Sequence, residues 1–215
     1  MKTNPQRRIL RWRSLRAVLG ASVLLAACSP FQAPTTYRVR TYLLSAHFPA
    51  ASQEMRRATV LVSESQADAG FDTTNMAYTA HAYELDYFAK NEWIAPPAQM
   101  IAPLLVKALD ATGRVRAVRL PTAAAASFRL DTRLERLEQD FTTRPSDVRL
   151  AIRATLVDLR TGHLLASRTF DETVAASSDN PYGGVAAANV AAQKALERIA
   201  AFVVSAISPS PTEAP

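Results

Sequence analysis

The chain has 215 residues, 25 of them basic and 19 acidic, for a formal charge of +6. Six of the basic residues, Lys2, Arg7, Arg8, Arg11, Arg13 and Arg16, fall in the first 16 positions with no acid among them, so the rest carries 19 of each sign and is neutral. That balance removes the electrostatic case for nucleic-acid binding, which needs a surviving basic surface, and the single cysteine excludes an intramolecular disulfide.

Taken in chain order, the first element is a targeting segment. The basic stretch leads into a short apolar run, Ala17-Val-Leu-Gly-Ala-Ser-Val-Leu-Leu25, and the small pair Ala26-Ala27. Such a run is about half of the ~20 residues a membrane-spanning helix needs, so residues 1–27 read as a cleaved signal peptide. Leu25-Ala26-Ala27-Cys28 resembles the bacterial lipobox, which implies cleavage between Ala27 and Cys28 and acyl chains such as palmitate on the Cys28 side. A lone unmodified thiol would be unusual in an oxidising compartment, and several acyl chains, at ~0.8 kcal/mol per buried CH2, anchor a protein stably. Ser29 after the cysteine, by the general bacterial sorting rule, points to the outer membrane. Residues 28–36 read as the lipidated cysteine and a tether, residues 37–207 as a single domain, and residues 208–215 as a frayed, proline-rich tail.

Tyr37–Ser45 and Thr59–Ser63 read as strands, the second buried. Asp68–Thr74 reads as a loop, and Met76–Tyr78 with Tyr83–Phe88 as a hairpin. Between Trp93 and Gly113 the apolar residues Ala98, Ile101, Leu105 and Ala108 recur at helical spacing. Pro96-Pro97 suits the first turn and Gly113 the position just past the last, while Pro103 demands an irregular first turn or a kink.

Val115–Val118 is a further short strand. Phe128–Glu135 alternates strictly between apolar and charged residues, and its phase slips between Leu134 and Leu137, which predicts a bulge or strand end near Arg136. Val148–Leu156 alternates again, Arg160–His163 is a turn, and Leu164–Phe170 completes a three-strand meander with one wet face. The charges of that face read as cross-strand pairs on a solvated surface. After the turn residues Ser177–Gly184, an alanine-rich apolar stripe runs from Val185 to about Ala206 as a helix. The order predicts an α+β fold: a mostly antiparallel sheet with helices packed on one face.

Signatures of chemistry are missing. His47, His81 and His163 have no zinc-ligand spacing, and there is neither a Gly-x-Ser-x-Gly elbow nor a P-loop. Glu84 and Asp86 share a strand face but read as surface acids, and Gly183-Gly184 reads as a tight turn into the helix rather than an anion site. No enzymatic activity, metal or cofactor is expected.

Three stretches together carry a family resemblance: Leu85–Leu105 through Trp93, Phe128-Arg-Leu-Asp131 to Gln139-Asp-Phe141, and Ser178-Asp-Asn-Pro-Tyr-Gly-Gly184 to Asn189. The chain resembles the ABC-type transport auxiliary lipoproteins, found alongside MCE-domain lipid transporters of the Pqi and related types. The resemblance implies an outer-membrane lipoprotein facing the periplasm, partnered by a periplasmic MCE-domain protein and contributing to envelope integrity. The alternative is a structural or assembly lipoprotein with no transport partner, and self-association stays open in either case. Tyr87, Phe88 and Trp93, placed on and after the hairpin, are the expected partner contacts, because large aromatics on a loop are either interface anchors or lids over the core.

Overall fold

A computed structural model of the chain describes residues 38–51, 53, 55–56, 58–120 and 126–208. In chain order the elements are β1 Arg40–Tyr42, β2 Ala58–Val62, β3 Gln66–Ala67, β4 Asn75–Thr79, β5 Asp86–Trp93, α1 Pro97–Ala111, β6 Val115–Val118, β7 Phe128–Asp140, β8 Asp147–Asp158, β9 Leu164–Ala175 and α2 Pro181–Ile207. The fold is α+β, built on a nine-stranded sheet.

The alternating segments form the spine of that sheet. β7, β8 and β9 make an antiparallel meander in which Leu130 lies beside Leu156, Leu134 beside Ile152, and Ile152 beside Phe170. The register shifts between Leu134 and Arg136, where the apolar phase slips in the sequence. An extra residue there keeps Leu134 and Leu137 on the covered face, which one unbroken alternation could not do.

The sheet as a whole is mixed rather than mostly antiparallel. β7 is 13 residues long, and three short strands follow one another along its second edge, all parallel to it. Val60–Val62 lie beside Phe128–Leu130, Gln66–Ala67 beside Arg133–Leu134, and Ala77–Thr79 beside Glu138–Asp140. β6 and β1 extend the sheet in parallel beside β2 and β5, and α1 is the connection that carries the chain from β5 to β6. The long return that a parallel neighbour needs runs from β2 through α1 to β6, whereas the hairpin-linked meander needs none.

Two expected boundaries move. The first strand shrinks to Arg40–Tyr42, because the next residues turn to other partners: the Leu44 N–H donates to Met100 Sδ (3.4 Å) and the Ser45 N–H to Asn189 Oδ1 (2.9 Å). The second hairpin strand begins later and runs much further, from Asp86 through the polar Lys90-Asn91-Glu92 to Trp93. β5 pairs with β4 through Asp86, Tyr87 and Glu92 and with β1 through Asn91–Trp93, its register against β4 shifting between Tyr87 and Glu92, while Lys90, Asn91 and Glu92 remain at least partly exposed.

α1 begins at Pro97, whose missing N–H costs nothing in a first turn. It ends where the Gly113 N–H bonds the Asp110 carbonyl with the glycine at φ +66°, a left-handed conformation that a side chain disfavours. Pro103 is accommodated inside it, which leaves the Gln99 carbonyl without its usual intrahelical donor. α1 packs over β2 and β6, α2 packs over β8 and β9, and the two helices touch, so one face of the sheet is covered. Ala187, Ala188, Ala191, Ala192 and Ala195 of α2 are all buried, which brings that helix close to the strands. Leu105, Leu109, Leu130, Leu134, Ile152, Leu156, Leu196 and Ile199 fill the layer between, each worth ~1.5–3 kcal/mol of apolar burial. No helix of the described residues is long and apolar enough to cross a membrane.

Candidate functional site

Ala27, Cys28, the tether and the tail beyond Ser208 lie outside the described residues. The three expected partner aromatics are described, and the structure separates them. Trp93 is the last residue of β5 rather than part of a loop, and only 4% of it is exposed. Its ring belongs to the core and borders a small apolar void with Met76, Leu137, Gln139, Val148 and Gly184. Phe88 is half-buried in an aromatic cluster, its ring 4.6 Å from Tyr78 and 6.2 Å from Phe141, centroid to centroid. Tyr87 alone presents a substantial face to solvent, at 39% exposure, while its hydroxyl donates to the Gly70 carbonyl (3.0 Å).

Around the Trp93 ring lies a polar network that neither periodicity nor spacing reveals. Gln139 is buried at the end of β7 and donates from Nε2 to Ser146 Oγ (2.9 Å). The Ser146 N–H donates to Asp179 Oδ1 (2.7 Å), and Asn180 beside it caps α2 by accepting from the Gly183 N–H (3.0 Å). Gly184 is required by close approach, because a Cβ there would collide with the Gln139 carboxamide. The carboxamide oxygen has no conventional donor among the described residues and lies against the Gly184 backbone, where a weak Cα–H contact is what remains to it. So the Gly183-Gly184 pair serves tight packing, in line with its reading as a turn.

Asp140, next to Gln139, is also buried, yet ionised. Burial works to raise its pKa, but the Thr142 side chain and backbone N–H and the Arg149 and Arg136 charges outweigh it, holding the carboxyl below its usual value. Arg149 Nη2 sits 2.7 Å from it. Asp179 is held low as well, by hydrogen bonds from the Ser146 backbone and side chain.

The uncovered face of the meander is a lattice of ion pairs. Arg129 meets Asp131 (3.0 Å), Arg133 meets Asp68 (3.0 Å), Arg136 meets Glu138 (3.6 Å) and Arg153 meets Glu135 (2.6 Å). With Arg149 on Asp140, each arginine of that face has an acid, so no uncompensated positive stripe is offered to an anion. Surface pairs of this kind are worth ~0–1 kcal/mol each; they keep the face soluble more than they stabilise it.

Glu84 lies in the turn before β5 and pairs with exposed His81 (3.1 Å), so it does not form a carboxylate dyad with Asp86. Among the described residues no group of three His, Cys, Asp or Glu side chains could hold a metal ion. An open groove of about 780 Å³ lined by Glu64, Gln66, Asp72, Gln99, Arg119 and Arg133 mixes both signs of charge and contains neither histidine nor cysteine.

The comparisons with known proteins bear on this architecture. The family model described as the ABC-type transport auxiliary lipoprotein component matches residues 42–200. Protein XCC0632 from Xanthomonas campestris, of the DUF330 family model, shares the fold with a TM-score of 0.71 at 18% identity, over 78% of this chain and 96% of its own. A crystal structure of an uncharacterized protein aligns with a TM-score of 0.60 at 16% identity, over 80% of this chain and 99% of that one. A search among curated proteins finds no match.

Proposed function

The chain belongs to the ABC-type transport auxiliary lipoprotein family, and from that premise we propose that it is a non-catalytic subunit docking a periplasmic MCE-domain protein of an intermembrane lipid transporter. In this reading Cys28 carries the acyl anchor, the domain hangs on the periplasmic face of the outer membrane, and its action supports envelope integrity. The observation that carries the proposal is the extent of the family match: residues 42–200 run from the end of β1 nearly to the end of α2. The site supports it too, since the polar groups that burial concentrates near Gln139 are spent on holding loops together rather than arranged around a substrate.

Two experiments test the reading. Cys28→Ser removes the thiol that diacylglycerol transfer requires, so unprocessed precursor without lipid label is expected; normal processing and acyl incorporation would refute the anchor. Affinity purification of the full chain from its native membranes in mild detergent should recover an MCE-domain protein together with an ABC permease and ATPase. Recovery of outer-membrane proteins alone would favour a structural or assembly lipoprotein instead.

A further inference from the structure

Strand register defines one end of the sheet. Tyr78 lies beside Asp86, Thr79 beside Asp140, Asp140 beside Asp147, and Asp147 beside Ala175, a row that crosses five strands. Beyond that row lie the turn 80–85, the loop 141–146 and the start of α2. β5 sets out from the row, and β1 runs parallel to it with Arg40 level with Asn91. The chain therefore arrives at Arg40 from this same end.

The length of chain before β1 sharpens the point. Arg40 stands level with Asn91, whose neighbour Glu92 pairs with Asn75, three positions from Tyr78 on β4, so it lies within about 10 Å of the row at ~3.3 Å per residue. Cys28 precedes Arg40 by twelve residues, a reach of at most ~43 Å. The intervening chain is long enough for Cys28 to lie past the row.

The same end displays amphipathic aromatics. Tyr83, at the tip of the turn, is wholly exposed and left-handed at φ 70°, a backbone conformation uncommon for a bulky residue. Leu85 and Tyr87 follow it but turn back against Gly70, whereas Tyr182 in the first turn of α2 is 69% exposed. A tyrosine ring with its hydroxyl suits the headgroup layer of a bilayer, where one side is apolar and the other wet. The charges nearby balance or lean acidic: His81 with Glu84, Arg136 with Glu138, Arg149 with Asp140, Arg144 beside Asp179, and Asp86. That composition fits a zwitterionic surface and disfavours an anionic one.

We propose that this end of the sheet is a membrane-contacting face, with Tyr83 and Tyr182 seated in the headgroup layer of the bilayer that holds the Cys28 anchor. The inference rests on the anchored reading given above, and it assigns the exposed part of the hairpin to lipid rather than to a protein partner. The two-point attachment, acyl chains plus aromatic tip, would fix the orientation of the domain and turn the 159–163 end of the meander toward the periplasm.

The test uses the full chain, lipidated in its host and reconstituted into vesicles of phosphatidylcholine and phosphatidylethanolamine whose acyl chains carry bromine near the headgroup. Tyr83→Trp should lose roughly half or more of its added emission, as befits a ring within ~5–10 Å of the interface, and anionic lipid should not deepen the loss. Buried Trp93 gives the background in the unsubstituted chain, and Leu164→Trp at the opposite end should be unquenched. Flotation with vesicles but no extra quenching in Tyr83→Trp, or equal quenching in Leu164→Trp, overturns the membrane-contacting face while leaving the anchor intact. Failure of the unsubstituted chain to float overturns the anchor and this face with it. Unquenched Tyr83→Trp combined with loss of the MCE-domain protein from Tyr83→Ala purifications would give the tip to a protein partner and overturn the lipid assignment.

Discussion

At one end of the sheet, residues from two separate stretches, 139–146 and 179–184, tie β7, the 141–146 loop and α2 together, whereas at the other end β8 simply turns back into β9. The near end depends on Gln139 and Ser146 meeting Asp179, Asn180 and Gly184, two groups more than thirty residues apart that come together only in the folded chain. The far end is local: Asp158 accepts from the Arg160 and Thr161 N–H groups, and Gly162 supplies the left-handed residue at φ +72°. Turn chemistry of the second kind stands in the sequence itself. Construction of the first kind is costly to perturb, because each buried polar group is satisfied by one particular partner. Of the stretches that carry the family resemblance, Gln139-Asp-Phe141 and Ser178–Asn189 lie at the near end, whereas Phe128-Arg-Leu-Asp131 lies at the far end beside Asp158 and the Trp93 stretch runs into α1.

The contrast makes unequal substitutions easy to choose. Trp93→Ala, which empties the space under the near-end network, should cost about 3–5 kcal/mol, read as a large fall in Tm. Leu164→Ala at the far end, 60% exposed, should change stability by less than ~0.5 kcal/mol. Comparable losses at both positions would mean that the two ends are not built differently. Gly184→Val forces a side chain against the Gln139 carboxamide and should cost about 2–3 kcal/mol by urea denaturation; an unchanged midpoint would show that the approach of α2 to β7 is not tight.

A smaller effect separates the ends by pH. The Asp140 pKa lies below its usual 3.8 in the folded chain, so the carboxylate contributes stability that is complete above the unfolded value and disappears as pH falls through the lower folded one. Asp140→Asn should therefore be less stable than the parent by about 1–3 kcal/mol at neutral pH, with the gap closing as pH drops below about 3.8. A gap that stays constant into strong acid would assign the loss to packing rather than to the ion pair with Arg149.

Much of the covered face was legible before the structure. The strict alternation of Phe128–Glu135 and Val148–Leu156, the slip near Arg136, the strand at Val115–Val118 and the helix stop at Gly113 all follow from patterns within one segment. What was not legible depends on neighbours. β2, β3 and β4 are parallel because they line up along one edge of β7, and no single strand advertises its partner's direction. Lys90-Asn91-Glu92 looked like a loop because side-chain polarity says nothing of backbone pairing, here of Asn91 and Glu92 with β1 and of Glu92 with β4, and Trp93 was misplaced with it. Of the expected contact aromatics, Tyr87 faces solvent; Phe88 was not distinguishable from it by sequence, since adjacent strand residues point to opposite faces and only the pairing decides which face is covered.

The central claim, service to an intermembrane lipid transporter, is tested most directly by following labelled phospholipid between inner and outer membranes in cells lacking this chain, lacking the cognate ATPase, or lacking both. The account predicts that each single loss slows exchange to the same degree and that the double loss slows it no further. Unchanged exchange without this chain, or a double loss slower than either single one, would contradict it.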